Sequence, residues 1–472
     1  MRLFEIILPI ILTIHIIWPF TGRKRPEVIN LLPALALIIV ILHGFLEGTR
    51  WQMFPLYAIT VWVFLASLIT WGKNRRPNNI SFPRGWRLAG LLSTLLVLAI
   101  STSLPALLPV PTPLPPSGPF AIGTRTMELT DPSRKEIYSG KDEARKFLIE
   151  IWYPAMPPAS GIKPAPWMPE AKIVAPAIAD YINLPHFFLD HLTLAKSSAY
   201  ADIPANRSAG MFPVLIFSHG WNGFRQQSTF LMQELASHGY IVVAMEHPYG
   251  ARLTVFPDGS LAANNPAALP KGKPDDEYEA AGRILVNQWA GDISYALDTL
   301  AKINQNDPAG QLSGLLNLNK VGVFGHSTGG GATIQFCGID PRCKAGLTLD
   351  AFMRPVGLEV LDQGTRQPFF YMFSELWPFP RNTELFNRYY SHVSPSNHVV
   401  TILGADHYDF SDLPALSPLA PQLGLKGPIN GARVQKIIDT YVLAFFDLQF
   451  KDTTTILFDG PQAAFPEVRY DH

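Results

Sequence analysis

Long apolar runs separated by short polar stretches dominate the N-terminal part of the chain. The first run, residues 3–20, is broken only by Glu5 and His15, and residues 28–46 and 51–72 contain no Asp, Glu, Lys or Arg. A fourth run begins at Leu88 and stays free of charge through Thr124. A helix needs roughly 20 apolar residues to cross a bilayer. The pattern therefore predicts four transmembrane helices, at about 3–20, 28–46, 52–71 and 88–108.

The charged residues between these runs predict how the helices cross the membrane. Two loops on one side are basic: Arg23, Lys24 and Arg25, and then Lys73, Arg75, Arg76, Arg84 and Arg87. The opposite side carries only Arg2 and Arg50. Basic loops stay in the cytoplasm, so everything after the fourth helix is expected outside it. Because Glu5, His15 and His43 lie near helix ends or stand alone, we interpret the four helices as an anchor.

A proline-rich segment separates this part from the rest. Seven prolines lie between residues 105 and 119. Such a stretch favours an extended, semi-rigid spacer over a helix. The sequence therefore predicts a transmembrane domain over residues 1–110, a linker over 104–119 and a second domain over 120–472.

The second domain alternates between strand-like and helix-like patterns. Short runs rich in β-branched and aromatic residues predict strands at 126–129, 147–153, 213–218, 240–245, 321–324, 346–349, 369–373 and 398–403. Apolar residues at helical spacing predict helices at 229–237, 282–301 and 434–450. Repeated strand–helix alternation is typical of an α/β fold, in which a mainly parallel sheet is covered by helices on both faces.

Composition excludes some functions and leaves others open. Lys and Arg together number 38, as do Asp and Glu, so the 472-residue chain has no basic excess for nucleic acid. The histidines show no pairing at metal-ligand spacing, and we expect neither a metal nor a cofactor. The two cysteines, Cys337 and Cys343, are either a disulfide or two buried thiols; an extracytoplasmic domain favours the disulfide. The oligomeric state is not encoded in any pattern.

The motif that carries chemistry is Gly325-His326-Ser327-Thr328-Gly329. An apolar strand-like segment enters it, and a helix-compatible segment leaves it. Glycines flank the serine because a strand–turn–helix elbow brings backbones too close for side chains. The context predicts that Ser327 is an exposed nucleophile, and a plain turn residue is the alternative.

Partners for this serine follow in the chain. Asp350 ends the next predicted strand, and His407 lies in a glycine-containing loop after a later one. Serine, acid and histidine in this order are the arrangement of α/β-hydrolases. We predict that His407 is the general base and that Asp350 orients it. Glu375 is the alternative acid, and His392 and His398 are the alternative bases.

An oxyanion hole requires two N–H donors. The first predicted donor is the N–H of Thr328, directly after the nucleophile at a helix start. The second is the N–H of Trp221, in the loop Ser218-His219-Gly220-Trp221 that follows an earlier strand. We interpret His219 as holding this loop and His326 as packed beside the elbow.

Five segments in order carry a family resemblance: PVLIFSHG, ASHGYIVVAMEHPYG, GHSTGGGATIQ, LTLDAFMRPV, and the pair PFFYMFSELW and ADHYDFSDL. With them the chain resembles the plasma-type (group VII) platelet-activating factor acetylhydrolases and their bacterial relatives over most of 120–472. The resemblance places the triad on Ser327, Asp350 and His407 and the oxyanion donors on Trp221 and Thr328. It implies calcium-independent hydrolysis of short or oxidised sn-2 acyl chains of phospholipids.

Two departures from the family widen the functional interpretation. The family's usual member has no four-helix anchor, and Trp221 and Thr328 replace its usual side chains. We therefore expect a membrane-anchored serine esterase acting outside the cytoplasmic membrane, with an ester or phospholipid as substrate and the bilayer as partner. A general carboxylesterase or polyester hydrolase is the alternative enzyme. A catalytically inactive, hydrolase-like binding protein is the alternative of another class.

Overall fold

The computed structural model describes residues 1–21, 23–73, 84–394 and 396–471. The chain forms two compact units: residues 1–111 with 190–194 and 416–419, and residues 112–189 with 195–415 and 420–472. The helices are α1 (Leu3–Ile17), α2 (Glu27–Leu46), α3 (Phe54–Lys73), α4 (Arg84–Leu107), α5 (Ala171–Tyr181), α6 (Thr229–Ser237), α7 (Asp275–Gln305), α8 (Thr328–Ile339), α9 (Leu358–Gln363), α10 (Pro380–Tyr390) and α11 (Gly431–Phe450). The strands are β1 (Ala121–Lys135), β2 (Ala144–Ala155), β3 (Ala199–Ala201), β4 (Phe212–Ser218), β5 (Ile241–Glu246), β6 (Leu253–Val255), β7 (Leu261–Ala263), β8 (Leu316–His326), β9 (Ala345–Leu349), β10 (Phe369–Ser374), β11 (His398–Ile402) and β12 (Val468–Tyr470).

The first unit contains the four apolar helices that the sequence predicts. Within the described residues, the segments long and apolar enough to cross a membrane are Leu3–Phe20, Glu27–Leu46, Trp51–Trp71 and Gly85–Leu107. Large apolar side chains face outward, among them Phe45, Trp62 and Trp86. Outward apolar surface is expected where the solvent is lipid. Arg75 and Arg76 of the predicted cytoplasmic loop lie outside the described residues.

A buried polar cluster, which we call the Glu5 clamp, joins the four helices at one end. Both carboxylate oxygens of Glu5 accept hydrogen bonds from Arg50, each at 2.7 Å, and from Arg2 at 2.8–2.9 Å. Arg50 also donates to the carbonyls of Pro105 and Leu108 at the end of α4. Glu5 lies near a helix end, as the sequence indicates, but it does not stand alone, because its partners are distant in sequence.

His43 extends the same cluster to α2 and α3. Its Nε2 lies 3.1 Å from Arg2 Nη2, and its Nδ1 lies 2.6 Å from the Tyr57 hydroxyl. Glu5, His43 and Glu47 place possible metal-ligand atoms close together. However, two guanidinium groups already occupy the Glu5 carboxylate, so this donor set does not fit a cation.

The proline-rich segment differs from the predicted linker. Helix α4 runs to Leu107 and includes Pro105 in its last turn, so the spacer starts later than residue 104. Part of the segment is also docked on α6. Ser117 donates to Glu234 through its N–H at 2.7 Å and its hydroxyl at 2.5 Å, and Gly118 N–H donates to Ser237 Oγ at 3.0 Å. Prolines prevent a helix here, but they leave N–H groups between them free to bind a neighbour.

The second unit is built on one large sheet, as the strand–helix alternation predicts. Within the described residues it has ten strands, in the order β12-β11-β10-β9-β8-β4-β5-β2-β1-β3. The six consecutive strands from β11 to β5 are parallel to one another. Strands β2 and β12 pair antiparallel with the parallel block at its two edges. The predicted α/β fold class is therefore confirmed.

Alternate residues of the central strands fill two separate cores. In β4, Val214 and Ile216 belong to one hydrophobic cluster, and Leu215 and Phe217 belong to the other. This follows from the two-residue period of a strand. Helices α7 and α8 cover the first face, and α6 and α11 cover the second. Burial on both faces explains why β4 reads as a continuous apolar run.

The order in which the chain adds strands to the sheet changes sides at β4. From β4 the chain passes to β5 on one side, and it returns to β8 on the other side. In such sheets the crevice outside the carboxyl ends of the strands, at the reversal, is where ligands bind. Ser218 at the end of β4 is paired with Gly325 near the end of β8. The loop after β4 and the turn after β8 therefore start side by side.

Candidate active site

Ser327 occupies a sharp turn between β8 and α8. Its backbone has φ 57° and ψ −122°, a region that non-glycine residues rarely enter. A Cβ atom on Gly325 would lie 2.3 Å from the carbonyl oxygen of Gly329, and one on Gly329 would lie 2.1 Å from that of Ser218. Both flanking glycines are thus required by close backbone contact. The turn has the geometry of the predicted elbow.

Asp350 directly follows β9, the strand next to β8. Its Oδ1 accepts from the Ser374 N–H at 2.8 Å, and its Oδ2 accepts from the Ser374 hydroxyl at 2.5 Å. The N–H of Ser327 donates to the carbonyl of Leu349 at 3.0 Å. The acid and the serine therefore emerge from adjacent strands at the same edge of the sheet.

His407 is brought to this edge by the loop after β11. Its Nδ1 lies 3.0 Å from Asp350 Oδ2, and its side chain is 12% exposed. The ring of His326 packs on it with centroids 4.5 Å apart. Within the described ranges, no hydrogen bond joins the Ser327 hydroxyl to His407. Such bonds are often long before substrate binds.

The residues weighed as alternatives lie in other contacts. Glu375 is exposed, and its Oε2 accepts from the N–H of Gly404 at 2.7 Å. His392 Nδ1 lies 2.9 Å from the carbonyl of Arg388, and the ring of His398 stacks on Phe458 with centroids 4.9 Å apart. The geometry therefore favours Asp350 and His407 over these alternatives.

The loop after β4 lies against the elbow. A Cβ atom on Gly220 would lie 3.2 Å from Ser327 Cβ. In the turn that follows, Asn222 N–H donates to Gly250 and Gly223 N–H donates to Gly220, each at 2.9 Å. Among the described residues these bonds leave the Trp221 N–H without a backbone acceptor. Thr328 is the first residue of α8, where N–H groups have no partner within the helix.

Three buried histidines surround the site, and burial keeps them neutral. It lowers the pKa of His219 to about 3, with the nearby His247 acting in the same direction. Burial likewise lowers the pKa of His247 and of His326. A neutral imidazole has one N–H donor and one acceptor, so each ring has a defined hydrogen-bond polarity.

A chain of hydrogen bonds links the loop after β4 to the loop that carries His407. Gln227 accepts from the Gly220 N–H at 3.2 Å and donates to His326 Nδ1 at 3.0 Å. The other nitrogen of His326 then donates to the carbonyl of His407 at 2.9 Å. His326 is thus a bridging residue as well as a packed neighbour of the elbow.

Aromatic side chains line one side of the site. Trp377 stacks on His407 with centroids 4.0 Å apart, and Phe352 lies 6.3 Å from Trp377. Trp221 and Tyr278 are partly buried and, like Trp377, pack against the hydrophobic cluster that contains Phe352. Such surroundings favour an apolar portion of a substrate.

A disulfide lies behind the elbow. Cys337, in α8, is bonded to Cys343, just before β9, with an S–S distance of 1.99 Å. The bond joins the helix that begins after Ser327 to the strand that ends before Asp350. Both cysteines are buried.

Sequence reasoning missed several residues of the site. Ser374 and Trp377 lie within PFFYMFSELW, a segment that the family resemblance singled out without giving them a role. Gln227 stands in a polar stretch that shows no periodicity. Of these residues, only Ser374 carried a signal in the sequence, because its position at a strand end predicts that it lies at the edge of the sheet.

The second unit is similar to known proteins over most of its length. Residues 114–455 match the family described as "Platelet-activating factor acetylhydrolase, isoform II". The platelet-activating factor acetylhydrolase of Cavia porcellus is 26% identical over 346 residues, which cover 70% of this chain and 76% of that protein. A probable 1-alkyl-2-acetylglycerophosphocholine esterase of Arthroderma benhamiae is 25% identical over 410 residues, covering 80% and 97%.

A solved structure supports the fold. The ferulic acid esterase from Streptomyces cinnamoneus superposes with a TM-score of 0.62 and 23% sequence identity, covering 77% of this chain and 100% of that one. The family match spans most of the chain, including the elbow, Asp350 and His407. The chain therefore belongs to the platelet-activating factor acetylhydrolase, isoform II, family and is an ester-hydrolysing enzyme.

Proposed function

We propose that this protein is a membrane-anchored serine esterase that removes short or oxidised acyl chains from the sn-2 position of phospholipids. In this proposal Ser327 is the nucleophile, His407 the general base and Asp350 the residue that orients the base. The observation that carries it is the 3.0 Å contact between Asp350 and His407 at the sheet edge that holds Ser327 in its strained turn.

The reaction proceeds through an acyl-enzyme. Asp350 holds Nδ1 of His407, and Nε2 removes the proton of Ser327 Oγ while Oγ attacks the ester carbonyl carbon. The N–H groups of Trp221 and Thr328 stabilise the negative charge on the carbonyl oxygen. Collapse of the intermediate breaks the ester C–O bond, and His407 gives its proton to the departing alcohol oxygen. Water then attacks the acyl-enzyme by the same steps and releases the carboxylic acid.

The choice of phospholipid rests on two supports. The relatives are named for acetylhydrolase and 1-alkyl-2-acetylglycerophosphocholine esterase activities. The aromatic wall formed by Phe352, Trp377 and their neighbours offers apolar surface beside the reacting atoms. None of the proposed steps requires calcium or another metal.

The four apolar helices support an integral membrane location, with the catalytic domain outside the cytoplasm. Arg2 and Arg50, the basic residues on the predicted outer side, are both hydrogen-bonded to Glu5. By contrast, Arg23, Lys24 and Arg25 are exposed. The orientation rests on the larger number of basic residues in the predicted cytoplasmic loops, because the rule counts Lys and Arg and not net charge.

Hydrolysis of p-nitrophenyl acetate and of a 2-acetyl phospholipid by the detergent-solubilised chain tests the chemistry. Ser327→Ala is expected to lower kcat by a factor on the order of 10⁴ to 10⁶. A fluorophosphonate probe should label the wild type and leave this variant unlabelled. Labelling that persists without Ser327, or unchanged turnover, contradicts the assignment, and an unlabelled wild type indicates an inactive binding domain.

Substrate preference is tested with the same preparation. The proposal expects a higher kcat/KM for phospholipid with an sn-2 acetyl group than for one with a long sn-2 chain. Turnover of soluble monoesters without any turnover of phospholipid indicates a general carboxylesterase instead.

The orientation is tested with single cysteines in a chain whose Cys337 and Cys343 have been replaced. The variants Lys24→Cys and Lys163→Cys should differ in their labelling by an impermeant maleimide on intact cells. Only the second is expected to react from outside.

A further inference from the structure

The peptide that joins Gly220 to Trp221 is fixed by a buried side chain. The carbonyl oxygen of Gly220 accepts from His219 Nδ1 at 2.7 Å and from the Gly223 N–H at 2.9 Å. No cis peptide bond occurs in the described residues. In a planar trans peptide the N–H points opposite to the C=O. Whatever holds the Gly220 carbonyl therefore also sets the direction of the Trp221 N–H.

His219 has only one way to make its two hydrogen bonds. Its Nε2 accepts from the backbone N–H of His247 at 3.1 Å. Because burial keeps the ring neutral, its single proton must be on Nδ1, where it faces the Gly220 carbonyl. The backbone of His247 thus selects the tautomer of His219 that donates to Gly220.

His247 is in turn fixed from three sides. Its Nδ1 lies 2.9 Å from Asp292 Oδ2, its Nε2 lies 2.9 Å from the hydroxyl of Ser218, and Trp289 stacks on its ring with centroids 4.4 Å apart. All four side chains are fully buried. Since His247 is neutral with a proton facing the carboxylate, the Ser218 hydroxyl donates to Nε2.

The carboxylate of Asp292 anchors this chain of bonds. Arg145 donates to both of its oxygens, at 2.7 and 3.0 Å, and Arg134 donates to Oδ1 at 2.8 Å. Although burial acts to raise the pKa of Asp292, the Arg145 charge and the bonds from His247 and Arg145 keep it below its usual value. The chain therefore ends on a permanent charge held by two arginines.

The loop after β4 is tightly packed against the turn that carries Ser327. The Ser218 carbonyl would lie 2.1 Å from a Cβ on Gly329, and Gly220 lies directly against Ser327. A displacement of a few tenths of an ångström in this loop would change the distance from the Trp221 N–H to the developing oxyanion. Rate depends steeply on such distances, because one oxyanion donor is worth about 10²–10³ in kcat.

We propose that His219 is a positioning residue, which holds the Gly220 carbonyl so that the Trp221 N–H points at the reacting carbonyl oxygen, and that His247 and Asp292 hold His219 in place. This inference rests on the proposed function, since it takes Ser327 as the nucleophile and Trp221 as an oxyanion donor. It assigns a role in catalysis to three buried residues that never touch substrate.

The test compares His219→Ala with His219→Asn in the full chain. The amide nitrogen of asparagine can take the position of Nδ1 and donate to Gly220, whereas alanine removes the donor. The readout is the ratio of kcat for an oxygen ester to kcat for the matching thionoester, whose C=S sulfur is a poor hydrogen-bond acceptor. This ratio reports oxyanion stabilisation and cancels any change in the activation of Ser327.

We expect His219→Ala to lower kcat on the oxygen ester about 10²-fold with little change in KM, and to lower the ratio at least about tenfold. His219→Asn should keep most of both values. An alanine variant with an unchanged ratio, or an asparagine variant that loses as much of the ratio as alanine, overturns the proposal. Melting temperatures of both variants are measured alongside, and His398→Asn, a half-buried histidine outside this chain of bonds, is the matched control.

Failure of the inference and failure of the proposed function give different results. If the wild type hydrolyses no ester and takes no fluorophosphonate label, the proposed function itself fails. If the wild type is active and dependent on Ser327, but both His219 variants keep its ratio, only the positioning role is wrong.

Discussion

The indole of Trp377 is stacked on the imidazole of His407, with ring centroids 4.0 Å apart and an angle of 23° between the planes. Phe379 also stacks on Trp377, with ring centroids 6.2 Å apart and an angle of 11° between the planes. An aromatic face beside a histidine limits its rotation and would stabilise the imidazolium that the proposed mechanism places on His407.

Trp377→Leu is therefore expected to lower kcat about fivefold, since a cation–π contact of this kind is worth about 1 kcal/mol. Trp377→Phe should retain most of the rate because it keeps an aromatic face. Initial rates with p-nitrophenyl acetate measure the effect. Phe379→Leu is the matched control. A Trp377→Leu variant with wild-type kcat would contradict the role of the stack.

Gly220→Ala should impair catalysis more than folding. The new Cβ atom would lie 3.2 Å from Ser327 Cβ and 3.3 Å from His326 Nδ1, so the loop or the elbow must move slightly. We expect kcat to fall about 10- to 100-fold and the free energy of unfolding to fall by about 1–3 kcal/mol. Gly431→Ala, where the nearest atom is 3.4 Å away, is the control. Equal kinetics for both variants would refute the tight contact.

The stability of the protein should depend on Glu246 as pH rises. Burial raises the pKa of Glu246 to about 7 from its usual 4.5, although Arg225 acts in the opposite direction. A carboxyl with a raised folded pKa stabilises the fold fully below pH 4.5, and this contribution is lost as pH rises through 7. The amide in Glu246→Gln never ionises. The variant should therefore gain on the wild type by up to about 3 kcal/mol between pH 4.5 and 8.

Thermal melting of the detergent-solubilised chain at several pH values measures this gain. The difference in Tm between Glu246→Gln and wild type should widen as pH rises from 5 to 8. Asp412, another buried carboxyl whose pKa burial raises, is present in both proteins and cancels in the difference. An exposed glutamate replaced in Glu143→Gln is the control. A difference that stays constant from pH 5 to 8 would show that Glu246 is already ionised in the fold at pH 5.

Cys337 and Cys343 should be unreactive in the purified protein. They are the only cysteines of the chain, so a denatured sample should take up no maleimide before reduction and two equivalents after it. Replacing both with alanine should lower the free energy of unfolding by about 2 kcal/mol, as expected for closure of a short loop. Cys337→Ala alone leaves one reactive thiol and serves as a control. Two reactive thiols in the unreduced wild type would show that the bond is absent.

The sequence predicted the parts of this molecule that depend on local patterns. Apolar runs located the four long helices and the central strands, because burial imposes its period on the sequence. The elbow was recognisable since only glycine tolerates the contacts on either side of Ser327. Strand ends located Asp350, because adjacent parallel strands finish at one edge.

The remaining features depend on side chains that meet only after folding. Glu5 and Arg50 look isolated in sequence, yet they form two hydrogen bonds. His247 and Asp292 are 45 residues apart, and no motif signals that they would meet close to the loop after β4. Prolines marked where a helix must end but not that Ser117 would dock on Glu234. Such pairs are selected by three-dimensional proximity, which a periodic pattern does not contain.

The Glu5 clamp has a consequence for how the protein is made. Arg50 binds a carboxylate from the first helix and two carbonyl groups from the end of the fourth, which the ribosome delivers last. An unpaired guanidinium is expensive in hydrocarbon, so for the proposed membrane anchor we expect an insertion intermediate with three helices to be poorly stabilised. The end of the fourth helix supplies the remaining acceptors of Arg50. We therefore expect the anchor to be complete before the domain that follows it in the chain is synthesised.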